Sequence, residues 1–153
     1  MANLDVSHEV LIEAPAEVVW RTITEPDEIA RWFADRVELD LRLDGDGTLV
    51  FEDQDGTGTK VAPLVVVTVE RPHRFSFRWS HPEGEVPGPR NSVLVEFTLV
   101  AEGSARTRLR VVETGLDEIG WPEDTQARYA ADHRQGWAHH VGRLETLFPS
   151  PAA

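Results

Sequence analysis

Cysteine is absent from this 153-residue chain, which removes disulfides, thiolate nucleophiles and every cysteine-containing zinc site at once. Lysine is almost absent: every basic residue except Lys60 is arginine, and 15 basic residues face 27 acidic ones, for a net charge of −12. So acidic a chain is poorly suited to neutralising phosphates, which disfavours nucleic acids and anionic membrane faces as partners. No stretch approaches the ~20 consecutive apolar residues of a membrane span. The opening MANLDVSHEV has neither the basic region nor the apolar core of a secretory signal, so the expected location is cytoplasmic. There is no G-x-S-x-G elbow and no glycine-rich phosphate loop in the right context, which argues against hydrolase and nucleotide chemistry. DGDG (44–47) and DQDGTGT (53–59) lack the closing Glu of a calcium loop and read as hairpin turns.

What remains is ordinary globular composition, 41% hydrophobic and 27% charged, in one domain over 1–153 with an ordered core of about 4–148. The end, PSPAA, reads as frayed. DVSHEVLIE (5–13) alternates, with Val6, His8, Val10 and Ile12 on one face: a half-buried strand. APAEVVWRTIT places Pro15 where a first helical turn tolerates it, and Pro26 ends that helix and begins a second, PDEIARWFA. Strands are expected over VELDLRL (37–43), TLVFED, KVAPLVVVTVE, HRFSFRWSH, SVLVEFTLV and ARTRLRVVET, with PEGEVPGPRN (82–91) as the longest irregular segment. From Glu123 to Phe148 the pattern is one long helix, its apolar face running through Ala130, Trp137, Val141, Leu144 and Phe148. Strands joined by short turns pair antiparallel, and helices segregated from them make the class α+β. The long helix needs an apolar surface, and a curved sheet wrapped around it leaves room for a ligand.

Three stretches in this order, IEAPAEVVWRTITEPDEIARWFA, VERPHRFSFRW and RQGWAHHVGRLETLF, together resemble the helix-grip superfamily of START domains and polyketide cyclases. Within it, they resemble the branch named after activators of heat-shock protein 90 ATPase. The resemblance implies a seven-stranded antiparallel curved sheet gripping a long C-terminal helix, with two short helices between strands 1 and 2. It also implies that Trp32 and Phe33 sit at the cavity mouth and that Trp137 packs into the grip.

Candidate site residues follow. His8 interrupts an apolar strand face and Glu113 alternates with Leu109 and Val111, so both should point inward. The superfamily makes the first and last strands neighbours, which would bring the two together as an imidazole–carboxylate pair, either an acid–base site or a satisfied buried pair. His133 and His140 share the inward side of the long helix with Trp137. They are separated by ~10.5 Å of rise, too far to chelate one metal, so no metal and no cofactor is expected. The catalytic candidates are His8, Glu113 and His140. The ligand-binding candidates are Trp32, Phe33, Phe51, Phe77, Trp79, His133, Trp137 and Val141, although most aromatic residues in any domain are core. The expected function is binding of a small hydrophobic or amphipathic molecule, with cyclase- or dehydratase-type chemistry if the protein is an enzyme. The alternative is a chaperone-associated interaction module without catalysis. A homodimer is compatible with the sequence.

Overall fold

The computed structural model describes residues 5–52, 59–79, 88 and 90–149. The turn expected at 53–59 and the segment 82–91 therefore lie largely outside the described residues. Strand β1 (Val6–Ile12) is followed by helices α1 (Ala16–Thr24) and α2 (Pro26–Ile29). Then come β2 (Arg36–Leu39), β3 (Asp46–Glu52), β4 (Thr59–Glu70), β5 (Arg74–Trp79), β6 (Val93–Ala101) and β7 (Thr107–Thr114). A 3₁₀ turn (Leu116–Glu118) leads into α3 (Glu123–Thr146). The seven strands form one antiparallel sheet in the order β1-β7-β6-β5-β4-β3-β2. Only β1 leaves the sequential order, crossing through the two short helices to pair with the last strand. The α+β, helix-grip architecture expected from the sequence is the one observed. Among the described residues no helix is long and apolar enough to cross a membrane.

Local chemistry explains the helical corner. Pro15 caps α1, and its carbonyl accepts hydrogen bonds from the Val18 and Val19 N–H groups. Pro26, which has no N–H to satisfy, occupies the first turn of α2. Thr22 and Thr24 are buried inside α1 and return their hydroxyls to the Val18 and Trp20 carbonyls at 2.8 and 2.7 Å. Regular helix ends at Ile29, and turns carry the chain on to Phe33. There the Trp32 indole donates to the Thr22 carbonyl at 2.9 Å, fastening the second helix to the first.

The inner face of the sheet is packed with rings. Phe75, Phe77 and Phe97 lie against one another, Trp20 meets Phe75 edge-on and Trp32 meets Phe97 edge-on. From α3, Ala130, Trp137, Val141 and Leu144 complete the core. This packing leaves a void of only about 10 Å³ between the short helices and the sheet, room for about one water. Core side chains pack around this void.

Strand β2 departs from the expected 37–43. Its pairing with β3 stops at Leu39↔Gly47, and Leu41 and Leu43 are exposed. The chain curls through 40–45 instead, with the Arg42 N–H on the Asp40 carbonyl and the Gly45 N–H on the Arg42 carbonyl. Asp44 adopts a left-handed φ of 62°, and Asp44 and Gly45 are bound by the backbone of Val66 in the bulged part of β4. Asp46 and Gly47, expected in the turn, belong to β3. Local alternation yielded here to a tight curl whose backbone groups find partners on β4. A methyl group on Gly45 would come within 2.0 Å of the Asp40 carbonyl oxygen. Gly45→Ala should therefore cost about 2 kcal/mol or more in urea unfolding; an unchanged midpoint would mean that the curl reshapes freely.

Candidate functional site

Glu113 lies near the C-terminal end of β7, on the inner face of the sheet, and is 2% exposed. A carboxylate taken out of water needs donors, and all of those given to Glu113 come from one stripe of α3. The Tyr129 hydroxyl donates to Oε2 at 3.1 Å, His133 Nδ1 lies 2.7 Å from Oε1, and the Trp137 indole N–H donates to Oε1. Residues 129, 133 and 137 are spaced by four, so they follow one another along the same helix face. Facing a carboxylate that can only accept, His133 Nδ1 carries the hydrogen, which leaves Nε2 at the far side of the ring. The ring is held flat by Tyr129, stacked at 3.6 Å between centroids, and edge-on by Trp79.

Beside this network is an open cleft of about 460 Å³ between α3, the far ends of β3 and β4, and the end of β5. Its wall comprises Phe33, Phe51, Lys60, Trp79, Tyr129, Asp132, His133, Gly136, Trp137 and His140. Phe33 is the hinge between cleft and core. It stacks on Trp137 at 5.0 Å and meets His140, Phe51 and Trp79 within 6 Å. Among the described residues, two nitrogens of these wall residues, Trp79 Nε1 and His140 Nδ1, are buried out of reach of the open cleft and have no hydrogen-bond partner. Burial lowers the pKa of His140 to about 4, helped by the neighbouring charge of His139 and, more weakly, of Arg143 and His133, while a backbone interaction with Trp32 opposes the shift. His140 is therefore neutral at pH 7.

The candidate residues divide accordingly. Phe33, Phe51, Trp79, His133, Trp137 and His140 line the cleft. Trp32 and Phe77 line the small interior void instead, and Val141 is buried core outside the cleft wall. Trp32 is turned away from the mouth because its N–H is spent on Thr22. His8 and Glu113 do not pair. β1 and β7 are neighbours, but the register sets Val6 opposite Glu113 and His8 opposite Val111, while the carboxylate is engaged by α3. Tyr129, Lys60, Asp132 and Gly136 are not among the site residues expected from the sequence. One signal was available: Lys60 is the only lysine and Tyr129 the only tyrosine of the chain, and Tyr129 lies one turn before His133.

Residues 13–149 match the family described as activator of Hsp90 ATPase homolog 1-like protein. The chain belongs to that family. Solved structures agree in fold across almost all of its length. DynU16, a protein of the dynemicin biosynthetic locus, is 28% identical with a TM-score of 0.72, over 99% of this chain and 51% of that one. CalU16 from Micromonospora echinospora is 25% identical with a TM-score of 0.66, over 96% and 76%. A Mesorhizobium loti protein is 24% identical with a TM-score of 0.72, over 94% and 95%. Among curated proteins none matches significantly. Among the described residues of this family member, then, the void inside the helix grip is small and the larger cleft lies at its edge.

Two measurements probe the site. Glu113→Gln keeps the shape but exchanges one acceptor oxygen for a second donor against Tyr129, His133 and Trp137, and should lower stability by about 2 kcal/mol in urea unfolding. His140 has a folded pKa below its unfolded value of 6.5. The unfolded chain therefore binds the extra proton, and the stability from keeping this ring neutral is intact above pH 6.5 and is lost as pH falls towards 4. Relative to wild type, His140→Gln should flatten this decline by about 2 kcal/mol once the ring's partial exposure is allowed for. Parallel stability curves between pH 6.5 and 4 would contradict it.

Proposed function

We propose that this protein binds a small amphipathic, ring-containing molecule at the mouth of the helix grip, and that Glu113, His133 and His140 serve its chemistry. One observation carries the reading: a single cleft brings the aromatic rings of Phe33, Phe51, Trp79 and Trp137 together with the polar side chains of Lys60, Asp132, His133 and His140. Apolar pockets with a few convergent polar groups are the usual form of small-molecule sites. The role expected of His8 passes to His133, whose Nδ1 is held by Glu113. A neutral His133 can take a proton from carbon beside a carbonyl at Nε2. The freed electron pair forms the double bond, and the same proton returns to a departing hydroxyl as water, a dehydratase-type step. His140, uncharged, orients the bound molecule by hydrogen bonding. That the neighbour DynU16 belongs to a biosynthetic locus favours a small molecule over a protein client.

A second reading, an interaction module without catalysis, draws on the family's description and on the small size of the interior void. It finds little support on the surface. Among the described residues the exposed large apolar side chains, Leu41, Leu43, Val61 and Val100, are spread over the β2–β3 connection, β4 and β6, whereas protein-binding faces are contiguous.

Native mass spectrometry after incubation with cell extract, followed by titration with hydroxylated aromatics read by tryptophan fluorescence, tests the proposal. Trp79 and Trp137 lie in the cleft wall, so binding there should quench them with one-to-one stoichiometry. Retention of no small molecule, together with no quenching across the panel, would overturn it.

A further inference from the structure

Lys60 is the only lysine among 15 basic residues, and it stands in the wall of the cleft. The alternation of β4 puts it on the inner face of the sheet, opposite Phe51 in the register with β3. It is exposed, so its stem borders an aromatic ring while its ammonium keeps contact with water. On the helix side the same wall carries Asp132. Among the described residues seven arginines have a carboxylate as ion-pair partner. Lys60 and Asp132 have no such partner there, and no ion pair joins them to each other. With His140 neutral and His133 acting as a base, Lys60 is the one positive charge of the wall and Asp132 the one negative charge.

We propose that the cleft selects a ligand carrying a carboxylate, which pairs with Lys60 on the sheet side while the apolar body lies against Phe51 and Phe33. Asp132 sets the direction of binding by repelling the carboxylate from the helix side. A single ammonium is a point charge with three donors and balances one negative charge. Phosphates are held by bidentate arginines or by several backbone N–H groups together, and a dianion would be repelled more strongly by Asp132. The net charge of −12 does not cancel the attraction. At about 0.15 M salt the screening length is about 8 Å, so distant carboxylates are screened while a contact pair is not. This deepens the small-molecule reading above and rests on it.

The test compares 2-naphthylacetate with its methyl ester, the same body with and without the charge, by isothermal titration calorimetry at about 0.15 M salt. Wild type should bind the anion about fivefold or more tighter than the ester. Lys60→Met keeps the apolar stem, and should abolish that preference while leaving the Kd of the ester unchanged; Lys60→Arg should restore it. Arg110→Met removes one positive charge from an exposed position on β7 outside the cleft, and should leave the preference intact. Equal affinities in wild type, or a preference that survives Lys60→Met, would overturn the carboxylate selection while leaving cleft binding intact. Binding of neither compound would overturn the selection, and the small-molecule reading too if the hydroxylated aromatics also fail to bind. Should Lys60→Met not fold, isotope-labelled lysine gives a single ε-methylene resonance in the wild-type protein. A shift with the anion and none with the ester supports the pairing, and a resonance unmoved by either refutes it.

Discussion

A carboxylate removed from water at the end of β7 ties the sheet to the long helix. Burying such a group unpaired costs several kcal/mol, so Glu113 is sustainable only with its donors in place. These come from Tyr129, His133 and Trp137, on successive turns of α3. The spacing makes the contact selective. If α3 slid by one turn, or rotated so that another stripe faced the sheet, the carboxylate would lose partners at several positions together. Glu113 thereby sets the axial position and rotation of the helix, which apolar packing alone constrains less sharply.

Much of the site geometry follows from that placement. The Trp137 ring, anchored at its N–H, presents a face to Phe33, and Phe33 closes the space beneath the cleft. His133, anchored at Nδ1, cannot turn that nitrogen outward. The aromatic set thus serves two purposes. Trp32, Phe75, Phe77 and Phe97 pack around the small interior void, while Phe33, Phe51, Trp79 and Trp137 stand at the edge of the grip and form a wall. Among the described residues, the larger cleft lies beside the packed interior rather than within it.

The sequence and the fold agree where local physics is enough. Period-two alternation marks β1 and β7, proline punctuation separates α1 from α2, and the stripe Ala130, Trp137, Val141, Leu144 marks the buried face of α3. Where local signals compete, the sequence misleads: Leu41 and Leu43 continue the alternation of β2, yet the chain there curls away to satisfy its backbone against β4. Trp32 and Phe33, adjacent in sequence, part ways because one indole N–H has a carbonyl to reach.

By itself the sequence determined the kinds of elements, their order, the apolar stripe of the last helix and the presence of inward-facing His and Glu residues. These depend on residues a few positions apart, through side-chain periodicity and backbone conformational preference. Only the tertiary structure decided that Glu113 is met by His133 and not by His8, that the interior void is small, and that the larger described cleft lies beside Gly136. Those outcomes turn on the register of β1 against β7 and on how bulky rings from distant segments share one volume, which long-range contacts settle together.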